Sequence, residues 1–447
     1  MLGDNKDSHS PPTTEEEKEH NQRILNPSTI KRAGLAPYPL TSNQHDYYSK
    51  VTRGNIAPTE GQPEPAPSNP RNARALLIIC YNRPDYLRRT LQSIYDRLPS
   101  FNRPHIYISQ DGDVNTVTDV IKEFGDRFAN DHADIPFNHW KHPSNGPLSL
   151  RGDNIANWAT GYYKLSQHFG WALNKLFNEL KHPRVIVLED DLEIAVDFFD
   201  YFSAMEPHLD TDDTLLAVSA WSDLGQQNVI ADPRQVHRTD FFPGLGWMLT
   251  RHIWEEIGPK WPEAFWDDWL REPPQRKARQ FLRPEISRTF TFGESGVSQS
   301  QFFREFLATI KLNDIPVDWT SEDTSYLDKG QWDDDMNKIL EKGKRINDLA
   351  SFVSFTCNDN LSYDSIDYII DRKDTVPSDD FTNSDIIYVY GGTNEYPAVA
   401  HAFHYIDDIK AGVPRTAYKG IVTIKHNGCR KFAIPGVNLD INNALPH

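Results

Sequence analysis

The sequence predicts an α/β fold on a mostly parallel central sheet, followed by a smaller C-terminal domain with β character. Three observations predict it. Short apolar runs alternate with amphipathic helical spacing between residues 75 and 220, the pattern of strands joined by covering helices. Acidic residues close two of those runs, where ligands of parallel sheets bind. After about Asn313 the chain becomes rich in Asp, Ser and Asn, with β-like runs at 386–390 and 421–425.

Taken in order, Ala75-Leu76-Leu77-Ile78-Ile79-Cys80 is apolar throughout, as a strand covered on both faces must be. Pro84 opens a helical pattern through Leu87, Leu91, Ile94 and Tyr95. A second strand over 105–109 ends at Gln110-Asp111-Gly112-Asp113. Helical spacing through Leu165, Phe169, Ala172, Leu173, Leu176 and Phe177 leads to a third strand, Val185-Ile186-Val187-Leu188, which ends at Glu189-Asp190-Asp191. Residues 215–220 make a fourth.

Residues 1–72 carry Glu15-Glu16-Glu17 and prolines at 58, 63, 65, 67 and 70. They bury too little apolar surface to offset the entropy of ordering and are expected to be a disordered stalk or linker. The expected organisation is that stalk, an α/β catalytic domain over 73–312, and the smaller domain over 313–447. No internal repeat is evident.

Lys and Arg number 47 against 64 Asp and Glu, a net charge of −17, which argues against a nucleic-acid partner. An acidic protein can still hold a phosphorylated ligand if a divalent cation neutralises it locally. No run reaches membrane-span length and no signal-peptide core follows Met1, so the expectation is a chain without a membrane span. Three cysteines, Cys80, Cys357 and Cys429, allow at most one disulfide and leave a thiol over.

Three segments carry chemistry. Glu189-Asp190-Asp191 gathers carboxylates that repel one another after a buried strand; a hard cation such as Mg²⁺ or Mn²⁺ is the fitting counter-ion. An acidic helix start, favoured by the helix dipole, is the bland alternative. The segment from Phe241-Phe242-Pro243-Gly244-Leu245-Gly246-Trp247 to Trp261-Pro262-Glu263-Ala264-Phe265-Trp266-Asp267-Asp268-Trp269 places acids among aromatic rings. Such rings suit sugars and cores alike; Phe241, Trp254 and Trp261 are expected in the core. Asp267 there is a candidate general base. Thr291-Phe292-Gly293-Glu294-Ser295-Gly296-Val297-Ser298 reads as a loop able to close over a phosphate, or as an ordinary turn. His401 and His404 lack a metal-site context and are expected to be structural, and Asn360-Leu361-Ser362 is a lone glycosylation pattern.

At these segments, in Gly161-Tyr162-Tyr163-Lys164, 187–200, 238–247, 259–269 and 283–298, and again over 409–423 around Ala411-Gly412-Val413-Pro414-Arg415, the sequence resembles the alpha-1,3-mannosyl-glycoprotein beta-1,2-N-acetylglucosaminyltransferases. The resemblance implies a GT-A type nucleotide-sugar-binding fold, Mn²⁺, UDP-N-acetylglucosamine as donor and an oligomannose N-glycan as acceptor. By matching position it implies Asp191 as the protein ligand to Mn²⁺, with Glu189 and Asp190 holding the donor and the ion's water shell. Arg83, Asp111 and His168 would contact the uridine. Asp267, in preference to Asp268, would be the base. Val297 and Ser298 would belong to a loop over the diphosphate.

The family also implies a Golgi lumen location, reached there through an N-terminal membrane helix that has no counterpart in this sequence. It implies disulfides whose cysteines are missing here, Gly112 standing where Cys80 would find its partner. O-linked mannose of proteins is the alternative acceptor, and an inactive sugar-binding relative the alternative of another class.

Overall fold

β1 (Ala75–Cys80) lies inside an eight-stranded sheet, its six residues all buried. The computed structural model describes residues 74–143, 159–297, 302–357, 385–391 and 394–436. The expected stalk, Ser298 and the Asn360 pattern lie outside them. All described residues belong to one compact unit, Glu64–His447.

The chain continues through α1 (Pro84–Asp96), β2 (His105–Asp111), α2 (Asn115–Asp131), β3 (Phe137–His142), α3 (Thr160–Asn174), β4 (Arg184–Glu189), β5 (Leu192–Ile194) and α4 (Phe198–Thr211). Next come β6 (Leu215–Ser219), β7 (Val236–Thr239), β8 (Trp247–Thr250), α5 (Arg251–Ile257), α6 (Trp266–Arg271), α7 (Pro273–Arg276), β9 (Gln280–Pro284) and β10 (Thr289–Thr291). The sheet order is β3-β2-β1-β4-β8-β6-β9-β7. Strands β3, β2, β1 and β4 run parallel. β8 is antiparallel to both of its neighbours, β6 and β9 pair parallel, and β7 closes the edge antiparallel.

Strand periodicity sorts β1 between two layers. Leu76, Ile78 and Cys80 join α1, α2 and α4 in one core, while Ala75, Leu77 and Ile79 join α3, α5 and α6 in the other. That alternation is the pleat read as packing. Chain order reverses at β1: β2 and β3 build outward on one side, and β4 returns on the other. The carboxyl ends of β1 and β4 therefore flank a topological switch point, where sheets of this kind leave a crevice for ligand.

The later chain forms α8 (Lys329–Lys342), β11 (Lys344–Ile346), α9 (Leu349–Ser354), β12 (Asp385–Tyr390), α10 (Tyr396–Ala402), the hairpin β13 (Ile409–Lys410) and β14 (Val413–Pro414), β15 (Val422–His426) and β16 (Cys429–Pro435). A second sheet has the order β11-β12-β16-β15. β15 and β16 join through Asn427 and Gly428, both at positive φ (53° and 69°), the backbone that a two-residue hairpin turn requires. Cys357 and Cys429 form a disulfide, and Cys80 is the free, buried thiol.

A buried carboxylate before α4 ties the 313–319 segment to the main sheet domain. Asp197 accepts from Arg288 Nη2 at 2.9 Å, Asn313 Nδ2 at 2.8 Å and Trp319 Nε1 at 2.8 Å. With every lone pair occupied, a buried charge pair of this kind is retained at little cost, whereas losing one partner costs about 3–5 kcal/mol. No helix among the described residues is long and apolar enough to cross a membrane.

Candidate active site

Register places the acidic triplet. Ile79 of β1 pairs with Glu189 of β4, so the residues just beyond each strand face one another, and Arg83 from the start of α1 meets the acids. Its guanidinium bonds Asp190 Oδ1 and lies 2.9 Å from Asp191 Oδ2, while Nη1 also donates to the Ser295 carbonyl at 2.7 Å. The counter-charge predicted for the triplet is thus partly supplied by the protein itself.

One guanidinium does not balance three carboxylates. Burial, reinforced by Asp191, pushes Glu189 above its ordinary value, and burial pushes Asp190 up to about 6. Asp190 Oδ2 is buried without a hydrogen-bond partner. A crowded set of hard oxygen donors with an orphaned buried oxygen fits a divalent cation such as Mn²⁺ or Mg²⁺. No group of three potential ligands is arranged as a finished site among the described residues.

The 293–297 loop covers this cluster because β10 pairs antiparallel with β5, directly after the acids. Gly293 is required by contact: a Cβ there would fall 2.1 Å from Asp191 Oδ2. Phe292 packs on Tyr86 at 5.5 Å and under Arg89 at 4.1 Å. Val297, partly exposed, faces Gly161 at the start of α3, where an added Cβ would lie 3.0 Å from Val297 Cγ1.

Asp111 ends β2 at the same sheet edge. Its Oδ1 accepts from His142 Nδ1 at 2.8 Å, and His142 stacks on His168 at 4.9 Å. Burial pushes Asp111 up, but the His142 bond and nearby positive charge outweigh it and hold the carboxyl below its ordinary value. His168 is buried, 2.7 Å from Ser109 Oγ, and burial lowers it to about 3. His142 belongs to the site although sequence reading missed it; edge strand β3 carries no apolar run that would have announced it.

Asp267 sits in the first turn of α6, near enough for its charge to act on Glu189 and Tyr162. The aromatic rings beside it are its foundation. Trp266 stacks on Phe169 (4.6 Å), Trp247 (5.5 Å) and Trp261 (5.8 Å). Phe241, Trp254 and Trp261 are buried as expected. Phe265 holds a left-handed φ of 52° and stacks on Tyr162 at 4.7 Å, an uncommon backbone for a bulky residue. Arg271 Nη1 bonds Asp267 Oδ2 at 3.1 Å and Asp268 Oδ1 at 2.7 Å, and Lys410 reaches Asp268 Oδ2 at 3.1 Å. Arg271 and Lys410 are further residues that sequence reading missed. His401 pairs with Asp407 at 3.2 Å and His404 packs on Phe306, both far along the chain from these acids.

Carboxylates at the switch point, a glycine-bearing loop packed across them and a separate acid whose charge reaches them are the site of a glycosyltransferase, as the family of the chain shows. The family model described as the GNT-I family matches residues 42–443, and the chain belongs to that family. A relative from Arabidopsis thaliana, alpha-1,3-mannosyl-glycoprotein 2-beta-N-acetylglucosaminyltransferase, is 37% identical over 363 residues, covering 81% of this chain and 73% of the relative.

Among solved structures, a mannosyltransferase from Pyrobaculum calidifontis in complex with GDP-Man and Mn²⁺ matches at a TM-score of 0.27 and 16% identity, over 48% of this chain and 54% of that one. TarS from S. aureus in complex with UDP matches at a TM-score of 0.31 and 9% identity, over 48% and 59%. The chain spans little more than half the length of those two structures.

Proposed function

We propose that the protein transfers N-acetylglucosamine from UDP-N-acetylglucosamine to the 2-hydroxyl of an α1,3-linked mannose of an oligomannose N-glycan, with inversion and with Mn²⁺. One observation carries the mechanism: a carboxylate cluster short of positive charge faces a separate, half-exposed carboxylate, Asp267. Family membership and the named Arabidopsis relative support the donor and the acceptor.

Asp191 would hold the ion, with Glu189 and Asp190 fixing its surroundings and the donor. When bound, the ion supplies Lewis-acid stabilisation of charge on the leaving diphosphate. Asp111, kept ionised by His142, can accept a hydrogen bond from a nucleobase imide N–H, and neutral His168 packs behind it. Arg83 stands between the acids and the loop, where it can follow phosphate charge. Asp267 takes the proton from the attacking mannose hydroxyl, and its bond to Arg271 leaves the second carboxylate oxygen for that task. Attack opposite the departing UDP inverts the anomeric centre in one displacement, and no protein nucleophile takes part. Residence in the Golgi lumen belongs to the same proposal.

The test is a transfer assay with purified protein, Mn²⁺, UDP-N-acetylglucosamine and a five-mannose N-glycan, read by mass spectrometry with and without chelator. A chelator-sensitive gain of one N-acetylglucosamine is expected. Intact UDP-sugar binding without that product would overturn the acceptor and send the search to other mannosides.

A further inference from the structure

The base candidate is not governed by its own helix alone. Asp268, its neighbour, is bound from two sides, by Arg271 of α6 and by Lys410 of β13, 142 residues further along the chain. Lys410 is no free-swinging surface lysine. It lies on a two-residue strand that returns through Ala411 and Gly412, at φ 49° and 80°, to β14. The base of that hairpin is pinned by Arg415, which bonds Asp408 Oδ2 at 2.9 Å and Asp223 Oδ1 at 3.0 Å. Its backbone N–H donates to the Asp408 carbonyl at 2.9 Å, and Tyr396 Oη donates to its carbonyl at 2.9 Å.

Arg271 is equally fixed: buried, donating to the Phe242 carbonyl at 3.1 Å and lying 4.6 Å over the Phe241 ring. Phe241 is covered on another side by Arg415 at 4.7 Å. Two rigid cations thus serve two adjacent carboxylates, and only Asp268 receives both. Resting on the reading of Asp267 as the base, we propose that Lys410 is a positioning residue for that base. By answering the charge of Asp268, it keeps Arg271 shared between the two acids and leaves Asp267 with one oxygen turned to the acceptor. The C-terminal hairpin is in this way part of the catalytic wall, although it touches no reacting atom.

The charged and titratable groups that face Asp267 are Arg271 and Asp268 on its own helix, the neutral Tyr162 of α3, Glu189 of β4 and, through Asp268, Lys410 of β13. Removing Lys410 takes the group formed by Asp267, Asp268, Arg271 and Lys410 from neutral to one net negative charge. A carboxylate in a more negative setting holds its proton to higher pH.

The experiment is the pH profile of kcat for Lys410→Met, a change that keeps most of the apolar stem. The acid limb is expected to move up by about one unit, a roughly tenfold loss of kcat on that limb, with the donor KM unchanged. Lys410→Arg should return the limb to its wild-type position. So should Asp268→Asn placed in the Lys410→Met background, because it removes the charge that the lysine answers. A wild-type profile in Lys410→Met, or a loss uniform in pH that Asp268→Asn does not repair, overturns the proposal. Wild-type turnover in Asp267→Asn would instead overturn the base itself, so the two failures are distinguishable.

Discussion

Glu189-Asp190-Asp191 and Asp267-Asp268 are both runs of adjacent carboxylates, but positive charge reaches them in opposite proportion. Three acids at the end of β4 share one guanidinium, and two are pushed toward protonation. Two acids at the start of α6 share Arg271 and Lys410, and despite burial those cations hold Asp268 below its ordinary value. The first run is built with a deficit that a cation and its ligand can fill. The second is balanced from within, by two cations that the protein itself supplies. Acidic composition alone does not distinguish them; the supply of counter-charge does.

Three experiments can break or sharpen that contrast. The largest effect is expected from Asp191→Ala, which removes the donor oxygen that Gly293 leaves room for. Calorimetry should then show loss of Mn²⁺-dependent UDP binding, and turnover should fall by about 10³-fold or more, the scale of a lost charge-stabilising group. Unchanged titration would refute the deficit reading.

Asp267→Asn should follow, with kcat down about 10²–10⁴-fold, as for a lost general base. UDP and Mn²⁺ binding should stay within a factor of two or so of wild type, since the balanced pair holds no ion. A parallel loss of metal binding would merge the two sites into one.

The smallest effect concerns Asp111, a fourth acid at the same sheet edge as the triplet, through its histidine neighbours. Burial lowers His168 to about 3, below the ordinary value of about 6.5 in the unfolded chain. Between those values the unfolded state binds the extra proton, so this contribution to stability is complete above about pH 6.5 and lost as the pH falls toward 3. At pH 5 the loss relative to neutral pH is about 2 kcal/mol. In His168→Gln, the difference in urea unfolding free energy between pH 5 and 7.5 should shrink by about that amount. An unchanged difference would mean that His168 is not held neutral by burial.

Much of the scaffold was legible. The apolar runs of β1 and β4 named themselves, and the acids after β4 fell at the switch point as position alone implied. β9 was not legible, because Gln280-Phe281-Leu282-Arg283-Pro284 hides two polar side chains that find partners only in the fold, Gln280 with Asp240 and Arg283 with Ser222. Edge strand β3 was missed for want of apolar alternation. Asn427-Gly428 is a hairpin signal written in the sequence, and it turns where such a pair should. Asp267 could be found by resemblance, whereas the resemblance over 409–423 gave Lys410 no role: a contact across 142 residues leaves no local trace.

The Asp197 knot has a consequence for engineering. Its donors come from 288, 313 and 319, so a chimera whose junction falls between 197 and 319 inherits a buried carboxylate from one parent and its donors from another. Exchange of parts with a relative is safest when that whole stretch travels as a single cassette, with the crossovers placed outside it.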